Sequence, residues 1–301
     1  MRSIYFIFLF WGFYGFTQPS DYTLTNLEIN NEYPHFGLMK TKGKKILFTS
    51  FALNKRGKVE LVGGNPVLTI YEGTLSGDGK IIKVQPVAID ANIPTVTSAV
   101  LSPNEKHLII TTLYTNKNRP KGDFKETNFH LEIGEYQEGI GWTNFKVLPF
   151  CNPRYSYAHP AFSNDGETLY FTGNVRGGKA TTKGGSDIFK VNIMENNTYG
   201  EPENLGSNVN SYSREMFPYV SDDNTLYFAS NRPGYGGFDI YKCVMKEDGS
   251  FEKAEKLPKP LNSDKDDFSL IINSNSASGF LVSKRIGGKG DDDIYHFVVK
   301  P

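Results

Sequence analysis

The chain has 301 residues and no formal net charge, with 33 basic residues balanced by 33 acidic ones. There is no basic field to hold nucleic acid or an anionic membrane surface, which excludes both as principal partners. Aromatic residues make up 14% of the chain, chiefly 22 Phe and 17 Tyr, a usage that suits half-buried strands.

In chain order, the first segment stands apart. Arg2 precedes an almost unbroken apolar run from Ile4 to Phe16, too short for a comfortable transmembrane helix. It predicts a signal peptide over residues 1–18, cleaved near Thr17–Gln18 or Gln18–Pro19, the alternative being an uncleaved anchor. No Cys follows the run, so a lipid anchor is not expected. No second apolar run follows either, so the exported protein is expected to lack a transmembrane span. Residues 19–301 read as one domain.

That domain is a repeat. Thr225-Leu226-Tyr227-Phe228-Ala229-Ser230-Asn231-Arg232 leads to Gly236-Gly237-Phe238-Asp239-Ile240-Tyr241. Thr168 to Asn174 leads to Gly184-Gly185-Ser186-Asp187-Ile188-Phe189 in the same way, and Gly279 to Arg285 leads to Gly290-Asp291-Asp292-Asp293-Ile294-Tyr295. Degenerate copies centre on Ile46 and Leu108, giving a spacing of roughly 60 residues, the signature of a β-propeller. Each copy opens on a short apolar strand, as in Phe217-Pro218-Tyr219-Val220-Ser221. A polar turn such as Asn164-Asp165-Gly166 or Asp222-Asp223-Asn224 follows, built from residues that tolerate tight hairpins. The second strand, a Gly-rich loop, a third strand and a more polar fourth strand complete the unit.

The predicted fold is therefore an all-β, five-bladed propeller, with blades near 33–92, 93–151, 152–210, 211–264 and 265–301. The last copy stops after its third strand, at Val298-Val299-Lys300-Pro301. Tyr22 to Asn30 resembles a fourth strand without a blade. The economical solution is that this N-terminal strand completes the last blade, which closes the ring.

The pattern Pro-x-x-Ser-x-Asp-x-x-x-Leu-Tyr-Phe-x-Ser-Asn-Arg-x-Gly followed by Gly-x-x-Asp-Ile-Tyr resembles the WD40-like repeat of TolB-type propellers. Pro218 to Tyr241 carries nearly all of it, and Pro160 to Phe189 carries most, with Gly173 for Ser and Val175 for Arg. Phe268 to Tyr295 lacks the Pro and the turn Asp. The phrase Asn204-Leu205-Gly206-Ser207-Asn208-Val209-Asn210-Ser211 is similar to propellers of Bacteroidetes-type envelope proteins. In that group the propeller often stands beside an OmpA-like peptidoglycan-binding domain, and some members belong to the type IX secretion and gliding apparatus. No OmpA-like segment is present in this sequence. The resemblance implies an exported protein, periplasmic or outer-membrane associated, in a Gram-negative bacterium.

Asp187, Asp239 and Asp293 hold one repeat position. An equivalent residue in each good copy points to a task done once per blade, namely accepting hydrogen bonds from loop N–H groups. Asp291-Asp292-Asp293 reads as a solvated acidic loop, and the five His residues show no metal-ligand spacing, so no metal or cofactor is implied. Cys151 and Cys243 fall in non-adjacent repeats and read as two thiols, with Cys243 in a buried strand. An enzyme reading needs carboxylates converging on the axis. Glu32, Glu215, Asp266 and Asp267 are the candidates, at what read as non-equivalent positions. No catalytic residue is assigned. The alternative is a carbohydrate-binding or glycoside-hydrolase-like propeller using the axial channel.

The preferred reading is a non-catalytic binding module. Loops before the first strand and between the second and third strands share a face. They carry Arg154, Tyr155, Tyr157, Arg176, Arg214, Glu215, Arg232, Tyr235, Lys265, Asp266 and Arg285. Arg and Tyr are enriched at interfaces, so this face is expected to bind an envelope protein or peptide segment. Insertions at 51–66 and 114–128 are expected to extend it.

Overall fold

The computed structural model describes residues 21–115, 120–121, 125–177, 181–195, 198–273 and 277–300. The predicted signal peptide lies outside the described residues, as do the turn at 274–276 and part of the insertion at 114–128. Among the described residues the chain is all β, arranged as a five-bladed propeller.

In the first blade, β2 (Phe36–Lys40), β3 (Lys45–Phe51), β6 (Leu68–Leu75) and β7 (Ile81–Pro86) run from the axis outward. The insertion between β3 and β6 carries a small hairpin of β4 (Leu61–Val62) and β5 (Asn65–Pro66). The second blade is β8 (Ser98–Leu101), β9 (His107–Leu113), β10 (Phe129–Gln137) and β11 (Gly141–Val147). The third is β12 (Tyr157–Phe162), β13 (Thr168–Gly173) and β14 (Asp187–Met194). Its fourth strand is broken into β15 (Thr198–Tyr199) and β16 (Glu203–Asn204), both paired with β14, instead of the continuous strand that the sequence suggests. The fourth blade is β17 (Glu215–Val220), β18 (Thr225–Ser230), β19 (Asp239–Val244) and β20 (Glu255–Lys256). The fifth is β21 (Asp267–Ile272), β22 (Ser278–Ser283), β23 (Asp293–Val299) and, from the other end of the chain, β1 (Tyr22–Asn26). The register Tyr22↔Val299 to Asn26↔Tyr295 is the predicted ring closure.

The core explains why the second strands are apolar on both faces. Each blade is a sheet sandwiched between two others, so its middle strands must be buried on both sides. In β3, β9, β13, β18 and β22 nearly every residue is buried. The buried side chains gather into five clusters, one between each pair of neighbouring blades. Ile46 and Phe48 of the first blade pack with Phe280, Val282 and Ile294 of the fifth, so the closing junction is as apolar as the others.

The polar repeat residues work locally. In the turns after the first strands, Ser163 Oγ donates to Asp165 at 2.5 Å and Ser221 Oγ to Asp223 at 2.5 Å. The same carboxylates accept the N–H groups of Glu167 and Thr225. The Ser hydroxyls hold both Asp groups below the usual carboxylate range.

Candidate functional site: the axial channel and its mouth

The Gly-Gly-x-Asp-Ile phrase is a junction between blades. Gly184, Gly236 and Gly290 press on the backbone entering the next blade. A Cβ would lie 1.9 Å from Ser213 O, 2.6 Å from Lys265 O and 2.3 Å from Asn31 O, respectively. The next residue but one, Ser186, Phe238 or Asp292, accepts through its carbonyl the first N–H of the following blade, from Glu215, Asp267 or His35, at 2.7–2.9 Å. Asp187 accepts the N–H groups of Lys183 and Gly184, Asp239 that of Tyr235, and Asp293 those of Lys289 and Gly290. The Ile then has both backbone groups clamped by one buried amide. Asn210 holds Ile188, Asn262 holds Ile240 and Asn30 holds Ile294. Two of these three Asn residues precede a Ser, and each lies 22 or more residues from the Ile it clamps.

Three of the predicted contact residues, Glu215, Arg232 and Arg285, are tied into the same junctions. Glu215 is fully buried at the start of β17 and accepts from Ser211, Ser230 and Arg232. Arg232 also donates to Val209 O and lies 4.6 Å from the Tyr241 ring centre. One blade on, Asp267 accepts from Ser263 and Arg285. Arg285 donates to Pro260 O and Leu261 O and lies 4.9 Å from the Tyr295 ring centre. Glu215 and Asp267 are thus equivalent residues, correcting the expectation of non-equivalent positions. His35 stands at the same place in the first blade, its ring on Tyr33 O. Tyr157 does not belong to the exposed face, because its ring is buried and its hydroxyl accepts Asn152 N. Arg176 folds back on its own loop, donating to Thr182 O and Gly184 O, and Tyr155 donates to Arg176 O.

The other predicted residues lie in loops of the same face. Arg154, Arg214 and Lys265 are exposed. Tyr235 is exposed beneath two lysines, with Lys256 Nζ 3.6 Å and Lys259 Nζ 5.2 Å from its ring centre. Asp266 is half-buried and accepts Phe238 N at 2.8 Å. The same face carries four exposed apolar side chains, two of them within the insertion at 51–66. Ile286, Tyr212, Val62 and Leu61 are 92, 84, 63 and 61% exposed, among the most exposed large apolar side chains of the described residues; Tyr136 of β10, at 61%, lies outside this group. The hairpin β4–β5 supplies Val62 and Leu61.

The channel itself is narrowed by a repeated backbone device. The first strands of four blades carry a bulge, and Gly37, His159, Phe217 and Ser269 there have positive φ angles of 65, 50, 52 and 52°. At His159, Phe217 and Ser269 this turns the side chain toward the axis. His159 stacks on Phe217 with ring centres 3.7 Å apart, leaving a central void of only about 30 Å³. His159 is buried with no acid paired to it, and burial pushes its pKa down to about 3. On the opposite face a vestibule of about 510 Å³ is lined by Met39, Lys40, Pro103, Pro160, Asn164, Pro218, Tyr219 and Asp222, among others. On the loop-rich face a cavity of about 260 Å³ is lined by Phe36, Met216, Phe217, Phe238, Phe268, Asp266, Lys284 and Asp292.

Of the four candidate carboxylates, Glu215 and Asp267 are buried against arginines, Glu32 is exposed, and only Asp266 reaches the mouth. Among the described residues no three His, Cys, Asp or Glu side chains are grouped to hold a metal ion. Cys151 and Cys243 are free thiols, and Cys243 is buried in β19.

No protein-family model matches the chain, and no curated protein does. Solved structures share its architecture. A putative TolB from Agrobacterium tumefaciens is 14% identical with a TM-score of 0.50, over 89% of this chain and 91% of that one. A thermostable family-43 glycoside hydrolase is 11% identical with a TM-score of 0.52, over 91% and 92%. A protein of unknown function from Dyadobacter fermentans is 12% identical with a TM-score of 0.49, over 87% and 75%. At these identities the likeness is one of fold, shared by enzymes and non-enzymes alike.

Proposed function

We propose that this propeller is a non-catalytic protein-interaction module of a bacterial cell envelope, and that it binds its partner on the face around the aromatic mouth. The carrying observation is that Ile286, Tyr212, Val62 and Leu61 all project from that one face. Large exposed apolar groups ringed by polar loops are what a docking surface presents to water before it is covered. Arg154, Arg214, Tyr235 and Lys265 supply a polar rim.

The envelope assignment rests on the apolar N-terminus and on the resemblance of the repeat to TolB-type and Bacteroidetes envelope propellers. A link to type IX secretion is part of this proposal and rests on that resemblance alone. The glycosidase alternative draws on a shared fold, but two of its four candidate acids, Glu215 and Asp267, are each committed to an arginine.

The test is recovery of partners from native membranes by the tagged protein and by an Ile286→Asp/Tyr212→Asp double variant. Both side chains are solvent-exposed, so the fold should tolerate the changes. Recovery of wild-type partners should fall at least tenfold, about 1.4 kcal/mol. Equal recovery by the two proteins would remove the face assignment.

A further inference from the structure

The mouth cavity has a composition that selects a ligand. Its floor is aromatic: Phe217 lies 6.5 Å from Phe36 and 5.1 Å from Phe268, centre to centre, and Phe238 and Met216 complete the wall. At one side stand three carboxylates, Asp266, Asp291 and Asp292, and a single ammonium, Lys284. The ammonium is shared between two of these acids. Lys284 Nζ is hydrogen-bonded to Asp291 at 3.2 and 3.3 Å and also forms an ion pair with Asp292 Oδ1 at 3.6 Å, too long for a hydrogen bond. Asp292 is 8% exposed, lines the cavity, and its Oδ1 is buried without any hydrogen-bond partner. Asp266 is fixed at the lip by Phe238 N. A buried carboxylate oxygen that accepts no hydrogen bond costs free energy until a donor reaches it. Phenyl faces attract a cation placed over them. Burial beside Asp291 raises Asp292 to about 6, a strain that an added positive charge would relieve.

We propose that this cavity is a subsite for an alkylammonium group, presented as a lysine side chain by the partner, with its methylenes on the phenyl rings and its Nζ at Asp292 and Asp266. The inference rests on the face being a protein-binding surface and names the group that is read there. Lys284 acts as the internal competitor for the same carboxylates.

The probe is n-butylammonium, titrated into the full folded protein and followed by ligand-observed NMR, with n-butanol and n-butyrate as neutral and anionic controls. Wild type should bind the ammonium in the millimolar range and neither control. Asp292→Asn should weaken ammonium binding at least tenfold. Lys284→Met, which removes the competitor, should tighten it severalfold, and this gain cannot arise from misfolding. Equal binding of butanol and butylammonium would overturn the inference, as would preference for butyrate or an unchanged affinity in both variants. If butylammonium fails to bind while the Ile286→Asp/Tyr212→Asp variant still loses its partner, the lysine subsite is wrong and the face assignment stands.

Discussion

Arg285→Met should lower the unfolding free energy by about 3–5 kcal/mol, because it strands a buried carboxylate. Asp267 has no exposed surface, and Arg285 is the cation that reaches it, at 2.7 Å. The guanidinium also satisfies two carbonyls in the link from the fourth blade, Pro260 O and Leu261 O. Removing it leaves one charge and two acceptors unpaired in a place water enters poorly. Adding Asp267→Asn to the variant should recover a large part of the loss, since the stranded group is then neutral. Arg232→Met should behave alike, through Glu215 and Val209 O. Urea unfolding gives the numbers from the shift of the midpoint at constant slope. A loss under about 1 kcal/mol, the range of an exposed ion pair, would show that these arginines are not the blade fasteners.

The second large effect is a dependence on pH. His159 is neutral in the folded channel, with its pKa near 3, and titrates near 6.5 once unfolded. Between those values the unfolded chain binds a proton that the folded chain refuses. Its contribution is therefore intact above about pH 6.5 and is lost as the pH falls, at about 1.4 kcal/mol per unit. His159→Asn keeps a residue that accepts the left-handed backbone at this site, where φ is 50°. The variant should be less stable at pH 8, having lost the ring that stacks on Phe217, yet should lose less as the pH drops toward 4. The comparison is made by difference, because other groups titrate in the same interval. His35 and His296 are also lowered by burial and act in the same sense, whereas Asp292, raised to about 6, acts in the opposite one. Parallel stability curves for the two proteins would mean that His159 is solvated or protonated in the folded state.

The sequence made the ring legible and hid its mouth, for reasons that can be named. Turn residues and doubly buried second strands recur because every blade solves the same two problems, so Asp165 and Asp223 or Leu169 and Leu226 announce themselves. Closure by the N-terminal strand was legible from an unfinished last copy and an orphan first strand. Phe36, Phe217 and Phe268 look like ordinary strand residues, and only the bulge turns Phe217 to the axis. The bulge itself has no residue signature, since Gly37, His159, Phe217 and Ser269 share none. Arg232 and Arg285 mislead for the opposite reason. Arginine near a loop suggests a contact surface, but their carboxylate partners Glu215 and Asp267 come from the neighbouring strand and turn them inward. Ile286 and Tyr212 are marked by exposure, which a sequence does not display, and not by residue type.

The claim that the loop-rich face is the binding face is tested most directly by hydrogen–deuterium exchange on the intact protein, alone and with a partner recovered from native membranes. Binding should slow exchange in the segments around residues 60–63, 211–217, 235–238, 264–268 and 284–292. The vestibule of Pro103, Pro160 and Pro218 on the opposite side should exchange as before. Protection confined to that vestibule, or spread along the outer strands β7 and β11, would contradict the account.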